Sequence, residues 1–403
     1  MKLLYIGTVT ESQEYEQIVN ESKVKPSVAP QTFETAFLNG VKANGYTDVE
    51  CFAFPMIASF PGSRLLHWKK KKQTLKCGFP VTWIPAINLP VLKMMSQAHS
   101  ARKMIESWLK KQDKLDDVCI LTYSIYEPVA KNILRFSKKY CCKTVAFVPD
   151  LPEHMYASKR GIQGLFAKYY YRQVKKIQAQ FGGYIYLTEK MKNKISADKP
   201  YLVVEGLADE SLFDVQTKEL TKADKPVIMY AGALSKRYGI AELVKAFRQT
   251  KLDVQLHIYG FGDFAPELEK IIHEDARIQY KGRVDRAEIL KREREATLLV
   301  NVRNPMDDYT AYSFPSKTIE YMSSGTPLLT SRLPGIPSEY FDYCYSISGN
   351  DVSEIRSALE RIMGDSDETR REMGQRARSF IHENKTAFKQ AERVLHFIEE
   401  IDG

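Results

Sequence analysis

Short apolar segments alternate with longer amphipathic segments along most of the chain, and this alternation restricts the fold more than any other feature. Continuous apolar runs predict strands of a parallel sheet that is buried on both faces; in the first half they occupy residues 3–7, 49–54, 118–123, 144–148 and 183–187. Segments with helical periodicity, such as 32–45 and 129–140, separate them. A second series follows at 227–230, 255–259, 278–280, 298–302, 328–330 and 343–346. The pattern predicts an α/β protein with two Rossmann-like, doubly wound domains.

The length of the chain agrees with this prediction. A chain of 403 residues is long enough for two or three domains, each with its own core. We place the first domain at residues 1–204 and the second at 205–384. The last segment, 385–403, carries an apolar stripe that predicts a closing helix, formed by Phe388, Val394, Leu395 and Ile398.

Composition and cysteine spacing exclude several classes of protein. Apolar residues make up 44% of the chain and charged residues 27%, which is ordinary for a globular protein and argues against disorder. The six cysteines show no Cys-x-x-Cys spacing, so neither a zinc site nor a disulfide framework is indicated. The apolar run at the N-terminus is too short for a signal peptide, and no eighteen apolar residues occur together. We therefore expect a cytoplasmic protein.

The segment YSFPSKTIEYMSSGTP, residues 312–327, carries the most chemical information. Pro315 predicts a loop, Ser316 a helix N-cap, and Gly325 the end of that helix. The free amides and positive dipole end of a helix start suit a diphosphate, and Lys317 adds positive charge there. Glu320, one turn inside the helix, could accept hydrogen bonds from two adjacent ribose hydroxyls. The segment therefore predicts a nucleotide-sugar site.

Four segments resemble, in order, the donor-domain motifs of family 4 of the retaining glycosyltransferases. They are the strand and glycine turn at 227–239, the Gly-x-Gly turn at 256–263, the nucleobase turn at 280–284 and the loop and helix at 312–327. The resemblance spans roughly residues 225–340. It implies the GT-B architecture, in which two Rossmann-like domains face each other across a cleft. The first domain would bind the acceptor, the second the nucleotide sugar, and residues 385–403 would cross back to the first domain.

The resemblance also implies an activity and a set of site residues. The expected reaction is transfer of a sugar, with retention, from a UDP- or GDP-sugar to a glycan or lipid-linked acceptor; no metal or other cofactor is expected. The Phe-Pro-Ser-Lys and Glu-Tyr-Met variant is typical of bacterial enzymes of surface-polysaccharide synthesis. The implied donor-binding residues are Gly232, Gly260, Gly262, Gly282, Arg283, Val284, Ser313, Phe314, Pro315, Ser316, Lys317, Thr318 and Glu320. Lys236, Arg237 and Lys317 would stabilise the leaving diphosphate.

On the acceptor side, the resemblance points to the loop after the predicted strand at 144–148. Asp150 is the candidate for receiving the acceptor proton, and Glu153 and His154 are candidates for orienting the acceptor sugar. A capping role for Asp150 at the start of the next helix is the structural alternative.

The chain departs from the family pattern at three positions. Tyr312 replaces the first glutamate of the Glu-x7-Glu pair, and Ala233 and Tyr238 occupy the usual Arg and Lys positions of the first glycine turn. These departures keep two alternatives open: a non-catalytic partner subunit, or another nucleotide-sugar enzyme such as a 2-epimerase. Donor turnover distinguishes the first alternative, and product identity distinguishes the second.

Positive charge is concentrated in the first half of the chain. Residues 1–200 contain 31 Lys and Arg against 16 Asp and Glu, and residues 51–105 contain no acidic residue. Apolar side chains are interleaved there: Phe60, Leu65, Leu66, Trp68, Phe79, Trp83, Ile84, Leu89, Val91 and Leu92. A second basic and apolar segment lies at 159–176. Such surfaces suit an anionic membrane, so we expect peripheral contact with the inner face of the cell membrane. Nucleic acid is the rival partner, but no motif supports it and we expect none.

Overall fold

The computed structural model describes residues 1–151, 153, 161–213 and 225–401. It divides the chain into two compact units. Unit 1 consists of Met1–Val204 together with Ala387–Gly403, and unit 2 consists of Glu205–Thr386.

Unit 1 is built on a sheet of eight strands among its described residues. The strands follow the spatial order β10-β9-β8-β7-β1-β2-β5-β4, and all neighbouring pairs are parallel except β4 with β5. Their bounds are β1 Lys2–Gly7, β2 Val49–Ala53, β4 Lys72–Thr74, β5 Pro80–Trp83, β7 Val118–Tyr123, β8 Lys143–Val148, β9 Gly183–Tyr186 and β10 Tyr201–Val203. A separate antiparallel pair is formed by β3 His67–Trp68 and β6 Ala86–Ile87. The unbroken burial of β7, along all six residues, is what a central parallel strand requires.

Helices connect these strands, and the last helix of the chain also packs in unit 1. Their bounds are α1 Ser12–Glu21, α2 Val28–Ala43, α3 Leu92–Leu109, α4 Glu127–Tyr140, α5 Gly161–Ile177, α6 Lys192–Ile195 and, at the C-terminal end, α13 Ala387–Glu400. A Cβ atom on Gly40 of α2 would lie 2.2 Å from the carbonyl oxygen of Ala387, so only glycine allows this contact. Asn44 at the end of α2 donates to the carbonyl of Phe388 at 2.9 Å, and Lys143 donates to those of Ile398 and Glu399.

The acid-free region 51–105 is less exposed than the sequence suggested. Trp68, Phe79, Trp83 and Ile84, expected as part of a basic surface, lie in the core of unit 1. Trp68 lies on β3 and Trp83 on β5, and Phe79 and Ile84 flank β5, so these residues belong to short strands that show no clear periodicity in the sequence. The expected surface is correspondingly smaller, and part of the second segment, residues 159–160, lies outside the described residues.

Unit 2 is a parallel sheet of six strands among its described residues, in the order β13-β12-β11-β14-β15-β16. The strands are β11 Val227–Ala231, β12 Gln255–Tyr259, β13 Ile278–Gly282, β14 Leu298–Asn301, β15 Leu328–Ser331 and β16 Tyr345–Ile347. The helices are α7 Ile240–Arg248, α8 Ala265–Ile271, α9 Arg286–Glu295, α10 Lys317–Ser324, α11 Val352–Gly364 and α12 Asp367–Asn384.

Alternate residues of the strands of unit 2 pack into different cores. Ile228 and Tyr230 of β11 join α7 and α11, whereas Val227 and Met229 join α10 and α12. Successive strand residues point to opposite faces, so helices cover both faces of the sheet. The prediction of an α/β protein with two Rossmann-like, doubly wound sheets is confirmed. Within the described residues, no helix is long and apolar enough to span a membrane.

Candidate active site

The strand order of unit 2 creates a ligand-binding position at one edge of its sheet. The chain runs from β11 outward through β12 and β13, then returns to β14 on the other side of β11. The connections after β11 and β14 therefore diverge, and ligands of open α/β sheets bind at such a point, beyond the carboxyl ends of the strands. The loops after β11, β12, β13 and β14 and the start of α10 all belong to this edge.

Two glycines after β12 allow this loop to lie directly against the loop after β11. Gly260 has a φ of +128°, and a Cβ atom there would lie 1.8 Å from the carbonyl oxygen of Gly232. A Cβ atom on Gly262 would lie 2.4 Å from the carbonyl oxygen of Leu234. The motif resemblance predicts that both glycines are donor-binding residues. In the structure they are required for packing between two loops, whatever else they bind.

An arginine and tyrosine cluster joins the loops after β11 and β14. The guanidinium of Arg237 lies 3.7 Å from the ring centre of Tyr309, and Tyr309 donates to the carbonyl of Arg237 at 3.2 Å. The guanidinium of Arg303 lies 4.5 Å from the ring centre of Tyr238. The loops touch because Gly239, with φ +76°, leaves room for the carbonyl of Val302. Two permanent positive charges are thus held at the ligand-binding edge.

The remaining predicted residues of the glycine turns have different surroundings. Lys236 forms an ion pair with Glu267 of α8 at 2.7 Å, with both side chains about half exposed. Arg283 lies over the ring of Phe261 at 5.5 Å, and that ring is 64% exposed. Gly282 has φ +65° and faces open space, whereas Val284 packs against the core.

The loop before α10 is anchored in the core. Phe314 is buried and lies 5.4 Å from the ring centre of Tyr340, so this predicted donor-binding side chain is a packing residue. Pro315 is buried and Ser316 is exposed, with Ser313 between these extremes. Ser316 occupies the cap position of α10 but makes no side-chain capping hydrogen bond, contrary to the expected N-cap. Thr318 is fully buried, and its hydroxyl has no hydrogen-bond partner.

Glu320 lies within a compact group of charges. Its Oε1 bonds to the ammonium of Lys317, and its Oε2 lies 3.5 Å from a guanidinium nitrogen of Arg286. Burial acts to raise the pKa of Glu320, but the Lys317 ammonium, a hydrogen bond with Glu293 and Arg286 outweigh it and hold the pKa below its usual range. The carboxylate is therefore ionised and, at 13% exposure of its side chain, still reachable from solvent.

Lys317 is engaged by carboxyl groups on two helices. Its ammonium bonds to Glu320 on its own helix and to Glu293 on α9, the latter at 3.4 Å. Lys317 is predicted to stabilise the diphosphate; in the structure its ammonium contacts these two carboxyl groups. Glu293 was not predicted, because a single glutamate in the charged segment RAEILKRERE carries no distinguishing pattern.

Tyr321 is a further residue of this site, and the sequence motifs did not predict its role. Its buried hydroxyl donates to the carbonyl of Ala231 at 3.0 Å and accepts from the amide of Ala231 at 2.8 Å. These two bonds tie α10 to the carboxyl end of β11. In the sequence, Glu-Tyr-Met indicates only a family motif. The one feature that could have predicted a structural role is the position of Tyr321 in the middle of the helix.

Two of the predicted acceptor-side residues, Asp150 and Glu153, lie in unit 1 after the carboxyl end of β8. Asp150 is exposed there. Glu153 accepts from the hydroxyl of Tyr171 at 3.2 Å and lies 3.8 Å from the ammonium of Lys194. His154 lies outside the described residues. Asp150 and Glu153 follow the carboxyl end of β8 in the structure, and their predicted roles stay predictions.

Comparison with known proteins agrees with these observations. Residues 213–380 match the family model described as glycosyl transferases group 1. Sucrose-phosphate synthase from Thermosynechococcus elongatus is similar along 99% of both chains, with TM-score 0.66 and 15% identity. Anabaena HepE in complex with UDP is similar along 100% of both chains, with TM-score 0.65 and 14% identity. No curated protein sequence matches the chain.

A third solved structure is α,α-trehalose 6-phosphate synthase from Burkholderia multivorans, with TM-score 0.65 and 10% identity over 99% of this chain and 96% of that one. At these identities the structures establish the fold, which is the GT-B fold of glycosyltransferases. The family match across the sheet of unit 2 adds the class: the chain is a glycosyltransferase enzyme.

Proposed function

We propose that this protein is a retaining glycosyltransferase that transfers a sugar from a nucleotide sugar to a glycan or lipid-linked glycan in surface-polysaccharide synthesis. One observation carries the donor half of this proposal. An ionised carboxylate, Glu320, projects from the first turn of α10 at the edge where the strand order diverges. A carboxylate in that position suits the two hydroxyls of a ribose, which are hydrogen-bond donors.

The charge of the donor's diphosphate requires cations that are not already neutralised by the protein's own carboxylates. Arg237 and Arg303 meet this requirement best, because their guanidinium groups stack on Tyr309 and Tyr238. Transfer breaks the bond between the anomeric carbon and the diphosphate and forms one to an acceptor oxygen. The arginines would stabilise the charge on the departing diphosphate, and Asp150 remains our candidate for receiving the acceptor proton.

A uridine or guanosine diphosphate sugar is the donor we expect, without a metal. HepE, which shares the fold, has been solved with UDP and with UDP-glucose, and this similarity supports a UDP-sugar. Membership of family 4 and retention of configuration rest on the motif resemblance.

The first experiment is binding and slow hydrolysis of UDP-, GDP-, ADP- and dTDP-sugars by the wild-type protein and Glu320→Ala. Loss of a charge-assisted hydrogen bond, worth about 1.5–3 kcal/mol, predicts roughly ten- to a hundred-fold weaker donor binding. Glu368→Ala is the matched control, because Glu368 also lies in the first turn of a helix of unit 2 but is exposed. Equal losses of donor affinity in Glu320→Ala and Glu368→Ala would indicate that Glu320 only stabilises its helix.

Turnover distinguishes the alternatives once a donor is known. A transferred glycoside with the donor's anomeric configuration, read by NMR, supports the retaining enzyme. A free epimerised sugar would support a 2-epimerase. Folded protein that binds none of the four donors would favour a non-catalytic partner subunit.

Peripheral membrane contact is a second part of the proposal and rests on unit 1. An apolar edge is formed by Phe60, Leu66, Ile87, Leu92 and Met95, which are 37–63% exposed. These residues lie together, because Phe60 bonds to Asn88, Asn88 bonds to Leu66, and Ser96 at the start of α3 bonds to Ile87. The region 51–105 around them is free of acidic residues, which complements an anionic lipid surface.

Vesicle sedimentation tests this contact. We expect binding to phosphatidylcholine vesicles containing phosphatidylglycerol, loss of binding in Leu92→Ser with Met95→Ser, and weakening by salt. Met306→Ser is the control, since Met306 is 85% exposed but lies in unit 2. Equal binding with and without phosphatidylglycerol, or unchanged binding of the double variant, would contradict the membrane proposal.

A further inference from the structure

Glu293 is the most unusual charged residue of unit 2. It lies on α9, whose other charged residues are all at least partly exposed, yet its own side chain is fully buried. One carboxyl oxygen, Oε1, lies 3.4 Å from the ammonium of Lys317. The other oxygen, Oε2, is buried and has no hydrogen-bond donor opposite it. An ionised carboxylate with one such oxygen would be strongly destabilising in this position.

The groups around Glu293 show how this cost is avoided. Glu320, Lys317 and Tyr321 face it from α10, and Arg294 is its charged neighbour on α9. The only ammonium in this described group, Lys317, is shared between two carboxyl groups, and Arg286 reaches Glu320 only. Burial and the adjacent Glu320 charge raise the pKa of Glu293 well above its usual range, whereas the pKa of Glu320 is lowered. Two carboxyl groups in contact share one proton in this way.

We propose that Glu293 is a positioning residue of the donor site: a neutral carboxylic acid that donates a hydrogen bond to Glu320 and fixes its direction. The buried Oε2 then has a partner, since the proton it carries points to a Glu320 oxygen. Lys317 bridges the same two groups and completes the arrangement. Glu320 keeps lone pairs for the ribose, and its orientation no longer depends on solvent-exposed Arg286. This inference rests on the proposed donor site.

Two substitutions of Glu293 separate a neutral acid from an ionised one. In Glu293→Gln the amide can donate to Glu320 and accept from Lys317, as a protonated carboxyl does. Glu293→Ala removes both bonds. Isothermal titration with UDP and GDP should show Glu293→Gln within about threefold of the wild-type protein. Glu293→Ala should bind roughly tenfold more weakly, the loss expected for one charge-assisted hydrogen bond.

The 2′-deoxy nucleotides distinguish a positioning role of Glu293 from a purely structural one, because a structural role would affect deoxy and ribo nucleotides equally. If Glu293 acts through Glu320 on the ribose, its removal should cost less affinity for dUDP or dGDP than for UDP or GDP. Glu295→Gln is the control, because Glu295 lies on the same helix but pairs with Arg292 instead of Lys317. Equal losses in Glu293→Gln and Glu293→Ala would show that the ionised form is required and would overturn the proposal.

An infrared difference spectrum tests the proton without any nucleotide. At pH 7 the wild-type protein minus Glu293→Gln should contain the carbonyl band of a protonated carboxyl group, shifted in D₂O. Absence of that band overturns the inference even if donors bind. Conversely, if the band is present but the protein binds no nucleotide, the shared proton is supported and the proposed donor site is rejected. The spectrum needs no Glu293→Ala protein, so it remains decisive if that variant does not fold.

Discussion

Glu34 and Glu320 are both carboxyl groups withdrawn from water, but their surroundings have opposite effects on their charge. Glu320 has an ammonium beside it and stays ionised. Glu34, on α2, accepts hydrogen bonds from the hydroxyl of Tyr5 at 2.8 Å and from the amide of Thr8 at 2.9 Å, and is fully buried. Burial exceeds the effect of these donors and raises its pKa to about 7. Neutral donors stabilise a buried charge less than a cation does.

The raised pKa of Glu34 predicts a pH dependence of stability. The folded protein binds the Glu34 proton up to about pH 7, whereas the unfolded chain releases it near pH 4.5. Stability from this group is therefore complete below the lower value and lost as the pH rises through the higher one. Across this window the wild-type protein should lose roughly 3 kcal/mol of unfolding free energy relative to Glu34→Gln. Urea titrations from pH 4 to 8 measure the difference, and parallel curves would show that Glu34 does not titrate there.

Tyr321 should contribute to stability and to the shape of the donor site. Tyr321→Phe leaves the buried amide and carbonyl of Ala231 without their partner, which costs about 1–3 kcal/mol. Donor affinity should fall as well, because the helix that carries Glu320 loses its bond to β11. Thermal unfolding and nucleotide titration measure the two effects, with Tyr169→Phe, an exposed tyrosine of unit 1, as control. A fully stable variant would mean that water replaces the hydroxyl.

Individual residues of the site differ in how far the sequence reveals them. Glu320 was found because it stands at a fixed distance from Pro315 and Gly325, whose backbone chemistry marks the two ends of a helix. Glu293 comes from a different helix and meets Glu320 only in the folded unit. No local spacing records such a contact, so the shared proton could not be predicted.

At the scale of elements, continuous apolar strands were predicted well. The strand at 118–123 has its predicted bounds, as does that at 255–259. The strand Pro80–Trp83 was missed, since four residues are too few to establish a period or a long apolar run. Burial of Trp83 depends on pairing with β2, far along the chain. Strands this short are defined by their partners, and single-sequence patterns do not contain that information.

The contact between the loops after β11 and β12 predicts unequal effects of two glycine substitutions. Gly260→Ala would force a methyl group against the carbonyl oxygen of Gly232, so we expect a loss of about 3 kcal/mol or more. Gly282→Ala is the matched comparison: its φ is also positive, but nothing lies within 4 Å, and a loss of about 1 kcal/mol is expected. Chemical unfolding of both variants measures the difference. Equal losses would mean that backbone strain alone, without the loop contact, explains the glycines.

At the scale of the whole molecule, the chain enters and leaves unit 2 at neighbouring points. Ala208 donates to the carbonyl of Lys385 at 2.7 Å, so the first and last segments of unit 2 run side by side. Beneath them, the ammonium of Lys385 lies 2.7 Å from Glu205, which also accepts from the hydroxyl of Tyr340 at 2.7 Å. Both charged groups are almost completely buried. This ion pair connects the first and the last segment of unit 2.

Breaking the pair from one side should destabilise unit 2 strongly. Lys385→Met leaves the Glu205 charge buried without its cation, which predicts a loss of about 3–5 kcal/mol. Combining Lys385→Met with Glu205→Gln should recover part of that loss, because the unpaired charge is removed. Unfolding followed by circular dichroism gives the three free energies. A double variant no better than Lys385→Met would contradict a charge-based explanation.

The return of the chain to unit 1 has a consequence for synthesis. Helix α13 packs on α2, yet more than 340 residues separate Asn44 from its partner Phe388. During translation, the sheet strands of unit 1 are synthesised before unit 2. The surface of α2 that contacts α13 therefore stays uncovered until all of unit 2 has been synthesised. Unit 2 can therefore mature first, although it is encoded second. A released chain truncated after Thr386 should therefore resist protease in unit 2 while remaining sensitive in unit 1.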